Sequence, residues 1–144
     1  MFDLEPDDRI SAWSHFRVSL NESKTPLDDV IKFWSSAPFI PYNKNVDPFN
    51  RYAWPTPWEI IVENHYDDFT KSLMMAWTLK LTDKFKDSKI EIKTYTDNEK
   101  NKVYNLVVVD DASVINYNDN SLIDAQELPD SISLENLIEV DRPR

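Results

Sequence analysis

Apolar residues recur at three- and four-residue steps from Phe69 through Leu73, Met74, Ala76, Trp77 and Leu81 to Phe85, which predicts a helix over residues 67 to 86 with one broad apolar face. Asp67 or Asp68 supplies its cap. Lys71, Lys80 and Lys84 fall mainly on the other side, and Lys80, Lys84 and Lys86 lie near its end, where cations suit the helix dipole. A shorter helix starts just before it. Thr56 is a threonine cap, Pro57 sits where its missing N–H costs nothing, and Glu59 reaches back to the cap. Thr25-Pro26 repeats this entrance, and Leu27, Val30, Ile31 and Trp34 form a stripe that Pro38 ends. The surrounding residues do not repeat, so there is no internal duplication. Ile10, Trp13, Phe16, Val18 and Leu20 predict a short helix running into an extended piece.

Beyond Lys86 the pattern changes. Lys89 to Thr96, Lys102 to Asp110 and Ser113 to Tyr117 are rich in Ile, Val, Thr and Tyr and are separated by Asp/Asn turns, which predicts an antiparallel meander. Leu106-Val107-Val108-Val109 does not alternate with polar residues, as expected of a central strand covered on both faces. The predicted class is α+β: a central amphipathic helix packed on a small antiparallel β-meander, with N-terminal helices and an extended C-terminal arm. Residues 1 to 10 read as a loosely held acidic tail, 11 to 120 as one globular domain, and 121 to 144 as an acidic amphipathic arm. In that arm Ser131 or Ser133 caps a short helix carrying Leu134, Leu137 and Ile138. Such a helix is too short to hold itself, so it either packs back on the domain or waits for a partner.

Between the helix starts runs APFIPYNKNVDPFNRYAW, residues 37 to 54. A connection of this length tends to be functional or to be pinned down by its own side chains. Phe39, Tyr42, Phe49, Tyr52 and Trp54, with Trp58 beyond them, either form a contact surface or fix the loop to the core. The candidate partner-binding set is therefore these five loop residues with Leu134, Leu137 and Ile138.

Composition narrows the chemistry. With 144 residues, 41% of them apolar, the chain is long enough for one well-formed core. No apolar run approaches membrane-spanning length, and the acidic MFDLEPDDRI lacks the layout of a signal peptide, so a soluble protein not exported by a leader is expected. The sequence contains no cysteine, which removes disulfides, thiol catalysis and thiolate metal sites. It also contains no glycine, so phosphate-cradling loops in their usual form are excluded and turns must use Asn, Asp and Pro. A net charge of −10 disfavours nucleic acid as a partner, a local patch around Lys80 to Lys93 excepted. No cofactor is expected.

The W-x-T-P-x-E segment from Trp54 to Glu59, the DDF start at Asp67-Asp68-Phe69 and the meander that follows resemble, over roughly residues 54 to 120, the core of transglutaminase-like cysteine peptidases of the papain-like superfamily. The resemblance implies a catalytic cysteine opening the central helix, then a histidine and an aspartate on the following strands. Tyr66 stands at the nucleophile position, and Asn105 and Asn116 fall near the other two. A phenol with a pKa of about 10 is a poor substitute for a thiol near 8.5. The resemblance thus implies an enzyme core that has lost its chemistry.

Other candidates have plainer readings. His65 beside Tyr66 and Asp68 suggests an oriented base, yet no serine or cysteine nucleophile has the expected context, and a surface or capping role explains it better. The pairs Asp7-Asp8, Asp28-Asp29, Asp67-Asp68 and Asp110-Asp111 suit caps and turns more than metals. Asn116, Asn118, Asn120, Asp124 and Glu127 match a calcium-loop register that fails at its first position and at Ser121, where glycine is required, so no metal site is expected.

The expected function is a non-catalytic structural or assembly protein acting through contacts with other protein subunits. The small, cysteine-free chain rich in Asn, Lys and Asp also resembles uncharacterised small proteins of marine tailed phages, implying a virion component of the neck, tail or baseplate, or otherwise a cytoplasmic protein. The alternatives are a hydrolase or acyltransferase with a relocated site near His65, Asp68 and Tyr66, and an acidic inhibitor of a basic host protein.

Overall fold

The computed structural model describes residues 1–118 and 121–144. Among these, four α-helices precede five strands: α1 (Pro6–Leu20), α2 (Pro26–Trp34), α3 (Pro57–Glu63), α4 (Asp68–Lys80), β1 (Ile90–Asp97), β2 (Lys102–Val109), β3 (Ser113–Ile115), β4 (Ile123–Asp124) and β5 (Ser133–Glu139). The strands form one antiparallel sheet in the order β4-β3-β2-β1-β5. The chain is an α+β fold with α4 between the sheet and the other helices. No helix among the described residues is long and apolar enough to cross a membrane.

The caps of α3 and α4 form as their sequences predict. Thr56 and Glu59 make both bonds of a capping box, and Asp67 accepts the Thr70 amide at 2.7 Å. The helix expected to reach residue 86 stops at Lys80, whose ammonium bonds the Ser88 carbonyl at 2.7 Å and holds the following turns against the helix end. α4 is buried beyond the one face its spacing predicts, Thr70, Ser72 and Thr78 included. Thr78 explains how a polar residue is tolerated there. Its hydroxyl accepts the indole N–H of Trp13 at 3.0 Å and of Trp34 at 3.2 Å while donating to the Met74 carbonyl at 2.6 Å. One side chain thereby pins α1 and α2 to α4.

The sheet separates two cores. Ile90, Ile92, Val107, Val109 and Ile115 join the main core beneath α4, whereas Tyr104, Leu106, Val108 and Val114 form a second one with Tyr117, Ala125, Leu128 and Ile132. Leu106 to Val109 therefore needs apolar side chains on both faces, as its unbroken run predicts. The missing glycines are replaced as expected. Asn64, Asn101, Asp110, Asp111 and Asn116 take positive φ between 51° and 68°, and Asp110-Asp111 make the tight turn from β2 to β3.

Three expectations are corrected. Residues 1 to 10 are not a loose tail. Met1 and Phe2 pack on the main core, α1 opens at Pro6, and buried Arg9 donates to the carbonyls of Ile61 at 3.0 Å and Val62 at 2.8 Å. The acids that suggest a tail, Asp7 and Asp8, occupy the first turn of α1, where the dipole favours them. Residues 11 to 20 continue that helix and do not become extended. The short helix expected around Leu134, Leu137 and Ile138 is instead β5, which packs back by pairing with β1 from Thr96↔Ser133 to Glu91↔Glu139. Without it β1 would present an unpaired edge, and that long-range demand outweighs the local capping signal.

Candidate functional site

Two constellations carry the residues singled out in the sequence. The first surrounds the start of α4. Tyr66 precedes its cap and is tied by backbone to the loop, donating its amide to the Pro38 carbonyl at 3.1 Å and accepting the Ile40 amide at 3.0 Å. Its ring lies against Phe2 and Trp34 and is 1% exposed. The phenol has no hydrogen-bond partner among the described residues, and burial pushes its pKa well above the ordinary value, with the nearby charge of Arg9 pulling the other way.

Asn105 and Asn116 do come together, but they meet at Asp68 and not at Tyr66. The Asn105 amide donates to one Asp68 oxygen at 2.9 Å, and the Asn116 amide approaches the other at 3.3 Å. Asn116 also donates to Ser72 Oγ at 2.5 Å and to the Asn105 carbonyl at 2.9 Å, and Thr94 Oγ1 donates to Asn105 Oδ1 at 2.9 Å. Sequence reasoning overlooks Ser72 and Thr94. Ser72 was detectable, lying one turn beyond Asp68 on the same face of α4.

This cluster is a satisfied polar network at a helix N-terminus. It has a carboxylate, two amides and two hydroxyls, and Ser72 gives its proton to the Asn105 carbonyl at 2.5 Å, leaving no activated nucleophile. The trio His65, Asp68 and Tyr66 is not assembled: His65 is exposed, Asp68 faces the strands, and Tyr66 is sealed among aromatic rings. A cavity of about 220 Å³ beside the helix start is lined by Tyr66 and Asp68 but not by His65. No group of three His, Asp or Glu side chains suited to a metal occurs among the described residues. Of the calcium-register positions, Asn120 lies outside the described residues, while Asp124 and Glu127 form a capping box with each other's segment.

No family model and no curated protein matches this sequence.

The second constellation is the loop 37–54 with the edge strand β5. Asn43, Val46 and Trp54 are the loop's anchors. The Asn43 backbone N–H donates to Asp67 Oδ2 at 2.9 Å, Val46 is buried, and Trp54 packs on Phe69 and Trp77 while its indole donates to the Asp47 carbonyl at 2.6 Å. Held this way, the loop turns four rings outward: Phe39, Tyr42, Phe49 and Tyr52 are 71%, 70%, 84% and 89% exposed. Arg51 joins the loop to β5 by donating to the Glu139 carbonyl at 3.1 Å. The Val140 amide bonds the Ile90 carbonyl, so alternate residues of β5, Leu137 and Glu139, turn their backbone groups away from the sheet. Leu134 and Leu137 are exposed on that strand. Of the candidate partner-binding residues, Trp54 is an anchor and Ile138 faces the core, which leaves Phe39, Tyr42, Phe49, Tyr52, Leu134 and Leu137 on the surface.

Proposed function

We propose that this protein is a non-catalytic structural or assembly subunit, working through the aromatic loop 37–54 and the edge of β5. The observation that carries this reading is the exposure of Phe39, Tyr42, Phe49 and Tyr52 from a loop anchored at Asn43, Val46 and Trp54. Aromatic rings are enriched at protein interfaces, and a pinned loop presents them with little ordering cost on association. An unpaired strand edge beside them offers backbone groups to a second chain.

The resemblance to transglutaminase-like peptidases supports the non-catalytic half of the proposal. A helix packed on a meander, with side chains of two strands converging at the helix start, is the arrangement the resemblance implies. Here the convergence is on Asp68, and an amide–carboxylate network takes the place of a thiol–imidazole pair. The phage-like character of the sequence favours a virion component of the neck, tail or baseplate as the assembly. Quantitative mass spectrometry of purified particles tests this: a fixed stoichiometry is expected, whereas a free monomer that turns over an ester or amide overturns it.

A further inference from the structure

The acidic chain carries a local inversion of charge near its C-terminal segment. Arg51, Arg142 and Arg144, three of its five arginines, line a groove of about 260 Å³ between the end of the aromatic loop and the segment that follows β5, with Trp54 and Trp77 among the lining residues. Each guanidinium offers five donors. Arg51 commits Nη2, to the Glu139 carbonyl and to Asp141 at 3.3 Å, and Arg144 commits Nη2, to the Trp54 carbonyl at 2.8 Å. Arg142 has no hydrogen bond or ion pair among the described residues, and its charge acts on Arg17, a half-buried guanidinium lying 4.2 Å from the centroid of the Trp13 ring. Arg17 is disfavoured as a cation first by burial and then by Arg142. Arg17 lies outside the groove, whose own arginines have Asp141 beside Arg51 and the charge of Glu59 acting with Arg144.

We propose that this groove binds an acidic peptide segment of a protein partner, its carboxylates meeting Arg51 and Arg142 and its aliphatic side chains resting on the two tryptophans. The guanidinium fork matches a carboxylate bidentately. The one acid lining the groove among the described residues, Asp141, has a side chain 82% exposed, and a surface ion pair of that kind contributes little, so an incoming carboxylate displaces it readily. The overall charge of −10 does not prevent this, because beyond a Debye length of about 8–10 Å it is largely screened and the local arginines dominate. It does disfavour polyphosphates, whose charge density extends well past the groove. This assignment rests on reading the protein as a contact-making subunit and specifies the chemistry of one contact.

A fluorescein-labelled octapeptide of alternating glutamate and leucine, its glutamine counterpart and inorganic phosphate probe the groove on the full chain by fluorescence anisotropy. The glutamate peptide is expected to bind at an ionic strength of about 0.1–0.15 M, where the overall charge is screened, and to weaken as salt is raised further. The glutamine peptide and the Arg142→Gln variant should each reduce affinity roughly tenfold or more. Arg142 makes no structural bond, so that variant keeps the fold; Arg51→Gln, which also releases the loop from β5, should weaken binding at least as much. Equal binding of both peptides, an unchanged affinity in Arg142→Gln, or displacement by phosphate as effective as by unlabelled glutamate peptide would overturn the proposal. Particle stoichiometry reads the subunit role separately, so either reading is able to fail while the other stands.

Discussion

The rings of the helical layer and the rings of the loop obey opposite rules. Trp13 and Trp34 are fully buried and both give their indole protons to Thr78, so their polar tips are as constrained as their faces. Phe39, Tyr42, Phe49 and Tyr52 lie mostly in solvent, and the loop bearing them is fixed by other residues, Asn43, Val46 and Trp54. Where anchoring and display are divided among different side chains, the displayed ones are free to be selected for contact. Tyr66 breaks the pattern of the interior, being buried with an unpaired hydroxyl.

The largest expected effect comes from removing the shared acceptor. Thr78→Val preserves shape but strands two buried indole N–H groups and should cost about 2–6 kcal/mol by urea unfolding, at about 1–3 kcal/mol for each unsatisfied group. Thr78→Ser should stay close to the parent, and a Thr78→Val chain of unchanged stability would break the contrast. Next in size, Asp68→Ala deprives the Asn105 and Asn116 amides of their carboxylate and should cost about 1–3 kcal/mol by the same measurement, partly restored in Asp68→Asn.

Tyr66→Phe sharpens the exception. Deleting an unpartnered buried hydroxyl should raise stability at neutral pH by about 1 kcal/mol. It should also flatten the alkaline limb. The folded pKa lies above the unfolded value near 10, so this phenol's contribution is fully present below about pH 10 and is lost as pH rises toward the folded pKa. Unfolding curves at pH 8 and above compare the two chains, and parallel alkaline losses would contradict the assignment. The smallest stability effect belongs to the display side: Phe49→Ser with Tyr52→Ser should stay within about 0.5 kcal/mol of the parent while abolishing association in the proposed assembly.

The central helix, the meander and the two-sided strand at Leu106 to Val109 were legible because their periodicities are local and long enough to be unambiguous. The left-handed Asn and Asp turns were legible because glycine is absent. By contrast, Leu134, Leu137 and Ile138 fit a helical spacing as well as a strand, and only pairing with β1 some forty residues earlier decides the matter. The site shows the same limit. Linear register places Tyr66 opposite Asn105 and Asn116, whereas the fold turns Tyr66 toward Trp34 and presents Asp68 in its place. A shift of two residues at a helix start exchanges which side chain faces the sheet, and no pattern in the chain encodes that rotation. The double use of Thr78 was equally hidden, since a lone threonine on an apolar face has no sequence signature.

Hydrogen exchange, compared between the free protein and the same protein in the proposed assembly, reads the displayed surface directly. The amides of residues 39 to 52 and of β5 should slow on assembly, the outward-facing amide of Leu137 among them, while those of α4 and β2 stay unchanged because they are already protected. Unchanged exchange in the loop and β5, with slowing confined to the rim formed by Asp68, Asn105 and Asn116, would contradict the account and return attention to the helix start as the working site.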